Sequence, residues 1–141
     1  MKYVLDASVA VRIALPTATT PKAQQLLDDY ALQVHDLIAP SIYPAEIASA
    51  LTKGERTKTI QFGEARKFLL DLLQNPPVLH DFFPLLMRAT DISSQFRAGL
   101  LDCLYVALAE EEGCEFVTAD NKLVKNLQAK FPFVVSLATL P

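Results

Sequence analysis

Apolar and polar positions change period several times along the chain, and each change marks an element. Tyr3-Val4-Leu5 is a short apolar run without polar alternation, ended by the polar break Asp6-Ala7-Ser8. Val9 to Leu15 carries a helical pattern that Pro16 stops, because proline has no N–H to continue it. Thr20 and Pro21 predict a cap and a first helical position, followed by Ala23, Leu26, Leu27 and Tyr30 at helical spacing. Leu37-Ile38-Ala39 predicts a second buried strand, closed by Pro40. Ser41 is the expected N-cap of a helix with Ile42, Ala45, Ala48 (or Ile47) and Leu51 on its apolar face. Gly54 stands where its C-terminal cap belongs.

Further on, Phe62 to Leu73 reads as a helix stopped by Pro76-Pro77, and Val78-Leu79 as a short strand. Helices over Leu85 to Phe96 and Leu101 to Glu112 are separated by Gly99, and Gly113 ends the second. Phe116-Val117-Thr118 predicts a strand, Asn121 to Ala129 a helix, and Phe133-Val134-Val135 a last strand. Strands with no polar face are covered on both sides. Their alternation with helices predicts an α/β fold, a parallel sheet of about five strands flanked by helices on both faces. No repeat, low-complexity stretch or linker interrupts it, so residues 1–141 are expected to form a single domain.

Composition narrows the function. Apolar residues are 51% and charged residues 21%, ordinary globular usage. No apolar stretch reaches membrane-spanning length, and Met1-Lys2-Tyr3-Val4-Leu5-Asp6 is too short an apolar run for a secretory leader, so a cytoplasmic protein is expected. Cys103 and Cys114 fall at opposite ends of one predicted helix, about 16 Å apart at roughly 1.5 Å per residue. That is beyond disulfide reach, and two reduced thiols are expected. A net charge of −3 excludes a non-specific nucleic-acid coat, so any basic surface is local.

The acids carry the chemistry. Asp6 ends the first strand, and Asp120 lies two residues past the strand that ends at Thr118. Glu46 sits in the first turns of the helix after the second strand, and Asp102 at the start of the helix before the fourth. Parallel sheets bind ligands at the carboxyl ends of their strands, where strand order reverses. Any one of these acids is explained as well by capping or by the helix dipole. Four converging on one edge are not. Carboxylates so gathered repel, which raises their pKa values unless a cation neutralises them. Hard oxygen donors without His or Cys suit Mg²⁺ or Mn²⁺, ions that serve phosphodiester hydrolysis. A receiver-like phosphoacceptor module also places acids at strand ends, but needs a Lys near the last strand that Lys130 does not supply.

Four segments together resemble the PIN-domain family, in particular VapC toxins of bacterial toxin–antitoxin pairs. They are Asp6-Ala7-Ser8-Val9, Pro44-Ala45-Glu46-Ile47-Ala48-Ser49-Ala50-Leu51, Leu101-Asp102-Cys103-Leu104-Tyr105-Val106-Ala107-Leu108-Ala109 and Phe116-Val117-Thr118-Ala119-Asp120. The resemblance implies an endoribonuclease dependent on Mg²⁺ or Mn²⁺, with Asp6, Glu46, Asp102 and Asp120 as catalytic metal-site acids. It also implies an RNA substrate, a cognate antitoxin and a homodimer. A PIN-fold RNA-binding or RNA-processing protein without a toxin role is the alternative. Ser8 and Thr118 match the small polar neighbours that support the carboxylates, although Ser8 equally fits an N-cap and Thr118 a β-branched strand residue. The antitoxin groove is expected along Val9, Ile13, Leu26, Leu27 and Tyr30. One departure is the uncharged Pro16-Thr17-Ala18-Thr19-Thr20 segment, where many relatives carry acids.

Other charged residues weigh less. Arg97 is expected over the site entrance as a substrate contact, while Lys53, Arg56 and Lys58 read as a solvated turn. His35 and His80 lack partners at metal-ligand spacing, and Glu110-Glu111-Glu112 is a solvated helix end. Phe82-Phe83 and Leu85-Leu86-Met87 read as core or as part of a dimer face.

Overall fold

The computed structural model describes residues 1–141. In chain order its elements are β1 (Lys2–Leu5), α1 (Ala7–Ala14), α2 (Thr20–Ala31), β2 (Asp36–Pro40), α3 (Tyr43–Arg56), α4 (Glu64–Leu72) and β3 (Val78–His80). A 3₁₀ turn over Phe83–Leu85 leads into α5 (Leu86–Phe96), α6 (Leu100–Glu112), β4 (Glu115–Thr118), α7 (Asn121–Leu127), β5 (Val134–Ser136) and a closing 3₁₀ turn over Leu137–Thr139. The strands form one sheet in the order β3-β2-β1-β4-β5, and every neighbouring pair is parallel. This is the expected α/β architecture. The order also removes the receiver-like reading, whose sheet runs 2-1-3-4-5.

β1 lies at the centre, with Val4 opposite Ile38 of β2 on one side and Phe116 of β4 on the other. The chain steps outward from β1 to β3, then returns to β4 and continues to β5. Right-handed crossovers put α1 to α4 over one face and α5 to α7 over the other. α6 lies against β1, β2 and β4 and packs along α5, so it is buried almost continuously from Cys103 to Ala109. That burial explains why its sequence has no amphipathic stripe. Tyr105 of α6 stacks on Phe116 with ring centroids 5.5 Å apart. The buried core runs from Val4 to Leu137 and draws on four of the five strands, all but β3. No helix is long and apolar enough to cross a membrane.

Several boundaries moved for identifiable reasons. α3 does not stop at Gly54. It runs to Arg56, and Lys58 takes the left-handed position at φ 61°. The Thr59 N–H donates to the Gly54 carbonyl at 2.8 Å and the Lys58 N–H to Glu55 at 3.1 Å, the bonding of a Schellman motif. Gly54 instead serves close packing, since a Cβ there would stand 3.4 Å from Leu15 Cδ2. Ser41 does not cap α3 either; its hydroxyl accepts from the Phe82 N–H at 3.1 Å, tying two loops together. Phe62, expected inside α4, is exposed ahead of Gly63, which precedes the helix at φ 92°. Thr20 opens α2 as a helical residue behind Thr19, and its hydroxyl donates to the Arg12 carbonyl at 2.8 Å. α7 ends at Leu127, two residues early.

Candidate active site

Asp6 ends β1 at the point where the sheet order reverses, and its N–H continues the ladder by donating to the Val117 carbonyl at 3.0 Å. Its carboxylate is buried, with 5% exposure. Thr118 Oγ1 donates to Asp6 Oδ2 at 2.6 Å and Ser8 Oγ to the same oxygen at 2.8 Å. Those two hydroxyls are in turn held by the backbone. Ser8 Oγ accepts from the Ala119 N–H at 3.1 Å, and Thr118 Oγ1 from the Asp120 N–H at 3.1 Å. The loops after β1 and β4 are thus laced together through one carboxylate oxygen.

The other acids arrive on helix starts. Glu46 lies in the first turn of α3 and Asp102 in the first turn of α6. Gly99 precedes α6, and a Cβ on it would come within 3.4 Å of Asp102 Oδ2. Asp120 caps α7, its Oδ1 accepting from the Lys122 and Leu123 N–H groups at 3.0 and 3.2 Å. Of the four, Asp120 is the one whose carboxylate makes a capping bond. All four line a single open cavity of about 480 Å³, together with Ser8, Arg12 and Thr17. They ring this space without three closing on one point.

Electrostatics within the cavity are uncompensated. Burial raises the Asp6 carboxyl above its usual range, against the two hydroxyl bonds, and the charge of Asp120 raises it further. Burial likewise raises Glu46, helped by Asp6. Asp102 is pushed up to about 7, first by burial and then by Asp6, Glu46 and Asp120. Glu46 Oε1 is buried without a hydrogen-bond partner, and so is the Tyr105 hydroxyl beneath it. The two groups are near enough for the hydroxyl to oppose the rise at Glu46, although no bond of acceptable geometry joins them. Burial also raises Tyr105 and Tyr43 well above the usual phenol range and keeps both neutral.

Not every residue expected here is present. Arg97 is exposed at the C-terminal cap of α5 in the left-handed region, at φ 54°, and does not line the cavity. Lys53, Arg56 and Lys58 are exposed and lie outside it, as expected of a solvated turn. Asn121 lies outside this cavity, and its Oδ1 accepts from Ser136 Oγ at 2.8 Å. Two residues went unnoticed in the sequence. Arg12 brings the cavity its cation, and the signal was its place one helical turn after Ser8. Tyr105 sits three residues after Asp102, hence on the same side of α6. The acid run at the end of α6 is surface chemistry: Glu110 pairs with Arg88 at 2.8 Å and Glu112 with Lys2 at 3.1 Å.

Comparison with known proteins identifies the family and the fold. A family model described as the PIN domain matches residues 3–127. The chain is 28% identical to Ribonuclease VapC3 of Pyrobaculum aerophilum, covering 96% of this chain and 99% of that one. It is 30% identical to Ribonuclease VapC9 of Mycobacterium tuberculosis, covering 94% and 96%. The fold is similar to that of VapBC2 from Rickettsia felis bound to a DNA fragment from its promoter. There the TM-score is 0.65 at 17% identity, over 96% of this chain and 97% of the other.

Proposed function

The chain belongs to the PIN domain family, and from that premise we propose that it is an endoribonuclease using Mg²⁺ or Mn²⁺, the toxin of a toxin–antitoxin pair. One observation carries the reading. Four carboxylates from four separate segments line one cavity at the strand-order reversal, with a buried oxygen of Glu46 left unpartnered. An unpaired buried carboxylate oxygen is costly to leave unsatisfied. A divalent cation satisfies it and offsets the mutual repulsion of the acids.

The donor set fits such an ion. It is all oxygen, as Mg²⁺ and Mn²⁺ prefer, and Mg²⁺ commonly keeps several waters while using one or two carboxylates plus substrate phosphate. Carboxylates that ring a cavity without closing on a point suit that mode of binding. When bound, the ion supplies neutralisation of phosphate charge and acidification of water. Asp6 and Asp102 would be the principal ligands. Thr118 and Ser8 hold Asp6 Oδ2, which fixes the direction of its carboxylate. Glu46 would be a ligand or would orient the attacking water. Asp120, with one oxygen committed to α7, would complete the set. No side chain serves as nucleophile in this scheme.

An antitoxin and a second copy of the chain complete the reading. The groove expected for the antitoxin needs revision, because Val9 and Leu26 are core residues; Ile13, Leu27 and Tyr30 keep partial exposure. Leu85 is core as well, whereas Phe83 and Met87 are 72% and 80% exposed and remain the apolar contribution to a dimer face. Free Cys103 and Cys114 agree with a reducing, cytoplasmic setting. The test is cleavage of RNA with added Mg²⁺ or Mn²⁺. The reading expects EDTA to abolish cleavage and either ion to restore it; cleavage that persists in EDTA rules out the metal chemistry.

A further inference from the structure

Arg12 is an unusual cation. It lines a cavity walled by four carboxylates, yet it forms no salt bridge with any of them. Its one hydrogen bond is a long one, from Nη2 to the Ala119 carbonyl at 3.4 Å. Five guanidinium N–H donors are therefore almost wholly unspent. Arginine left this free beside a site for polyanions has a planar fork suited to a phosphate.

Arg12 and Thr17 also belong to the lining of a second cavity, of about 220 Å³, adjoining the first. Thr19, Asn121 and Ser136 add polar side chains to its wall, and no carboxylate lines it. Its charge is thus opposite to that of the acid cavity next door. The Asn121 side chain accepts from Ser136 through Oδ1, so its amide hydrogens remain available as donors. The Thr17 and Thr19 hydroxyls, 3.1 Å apart, are fixed over this space because the Thr17 N–H donates to Thr20 Oγ1 and Thr20 Oγ1 in turn donates to the Arg12 backbone carbonyl. The uncharged Pro16 to Thr20 segment is what keeps the second cavity free of negative charge.

We propose that this second cavity binds the RNA phosphodiester next to the one that is cut, with Arg12 on the shared wall as its principal contact and Asn121, Thr17 and Thr19 as neutral partners. The inference rests on the ribonuclease reading and adds to it where the strand lies. RNA leaves the acid cavity between α1 and α7, past the α1–α2 loop and the segments that follow β4 and β5. Because the contact is made in the ground state and the transition state alike, its loss weakens binding and leaves the chemical step largely intact.

The experiment is steady-state cleavage of a single-stranded RNA oligonucleotide in Mg²⁺ by wild type, Arg12→Ala, Arg12→Lys and Thr19→Asp, each over a salt series. Arg12→Ala is expected to raise KM about tenfold, with kcat within about threefold. It also makes the salt slope of kcat/KM shallower by about 0.7, the value for one phosphate contact on a single strand. Arg12→Lys keeps the wild-type slope and recovers part of KM. Thr19→Asp, at the N-cap of α2 where Asp is a favoured residue, raises KM by bringing a carboxylate into the second cavity and not the first. Wild-type KM and slope in Arg12→Ala or, should that variant not fold, wild-type KM in Thr19→Asp overturn the inference while leaving the ribonuclease reading standing. A wild type that cleaves no RNA overturns both.

Discussion

At the residue scale, the site is held by hydroxyls as much as by acids. Ser8 and Thr118 both donate to one oxygen of Asp6, so neither is merely a helix-start or strand residue. Groups that orient a ligand from behind typically contribute 10–100-fold to activity. Thr118→Val and Ser8→Ala should therefore each lower cleavage by about that factor while circular dichroism stays unchanged. The sequence made these roles legible only through the resemblance, because a Ser two residues after an Asp fits an N-cap just as well. Arg12 escaped notice for a different reason. Its side chain reaches the site from the second turn of α1, and no local pattern marks which way a lone arginine turns.

The titration of the acids sets a second residue-scale prediction. Asp102 is raised to about 7, chiefly by burial and then by Asp6, Glu46 and Asp120, and Asp6 and Glu46 are raised too. In the unfolded chain these groups titrate near 4. Between about pH 4 and pH 7 the folded protein therefore binds more protons than the unfolded chain, and stability falls as pH rises through that window. Thermal melts of the metal-free protein should give a lower Tm at pH 8 than at pH 5, and Asp102→Asn should raise the Tm at pH 8. Mg²⁺ should restore wild-type Tm more at pH 8 than at pH 5. Equal melting at both pH values without metal would show that the acids do not strain the fold.

At the scale of elements, helices and strands were legible from periodicity, and their ends were not. Apolar runs such as Tyr3-Val4-Leu5 and Phe116-Val117-Thr118 identify central strands because a parallel sheet covers both of their faces. The end of α3 misled because Gly54 resembles a cap. Its real task is the approach of α3 to Leu15, and the left-handed turn falls on Lys58, a residue ill suited to it. Lys58→Gly should thus stabilise the protein by about 1 kcal/mol, read from urea unfolding. Gly54→Leu should destabilise it, since even a Cβ there is already in contact with Leu15 and Ile60. A neutral Gly54→Leu would mean that α1 and α3 can separate at no cost.

For the whole molecule, strand order matters most. β1 and β4 are neighbours although more than a hundred residues separate them, and that adjacency brings Asp6 and Asp120 to one edge. A single chain read without its topology shows four acids far apart; the parallel sheet makes them one site. The expectation that both helix starts would face that edge rested on the sheet rule, and the cavity lined by Glu46 and Asp102 agrees with it. Subsite and partner surfaces were not legible, because they depend on which side chains stay exposed after the core closes. Phe83 and Met87, on opposite sides of the start of α5, illustrate this: both are apolar in sequence, as is buried Leu85 between them.

The central claim is that these four acids work as one metal-holding site for cutting RNA. Its most direct measurement is the kcat for RNA cleavage in saturating Mg²⁺ by Asp6→Asn, Glu46→Gln, Asp102→Asn and Asp120→Asn, beside Glu111→Gln as a surface control. Each site variant should lose at least about 10²-fold, a typical cost of removing an acid–base or charge-stabilising group, while the control keeps the wild-type rate. Wild-type kcat in Asp6→Asn or Asp102→Asn, with the metal requirement intact, would contradict the claim.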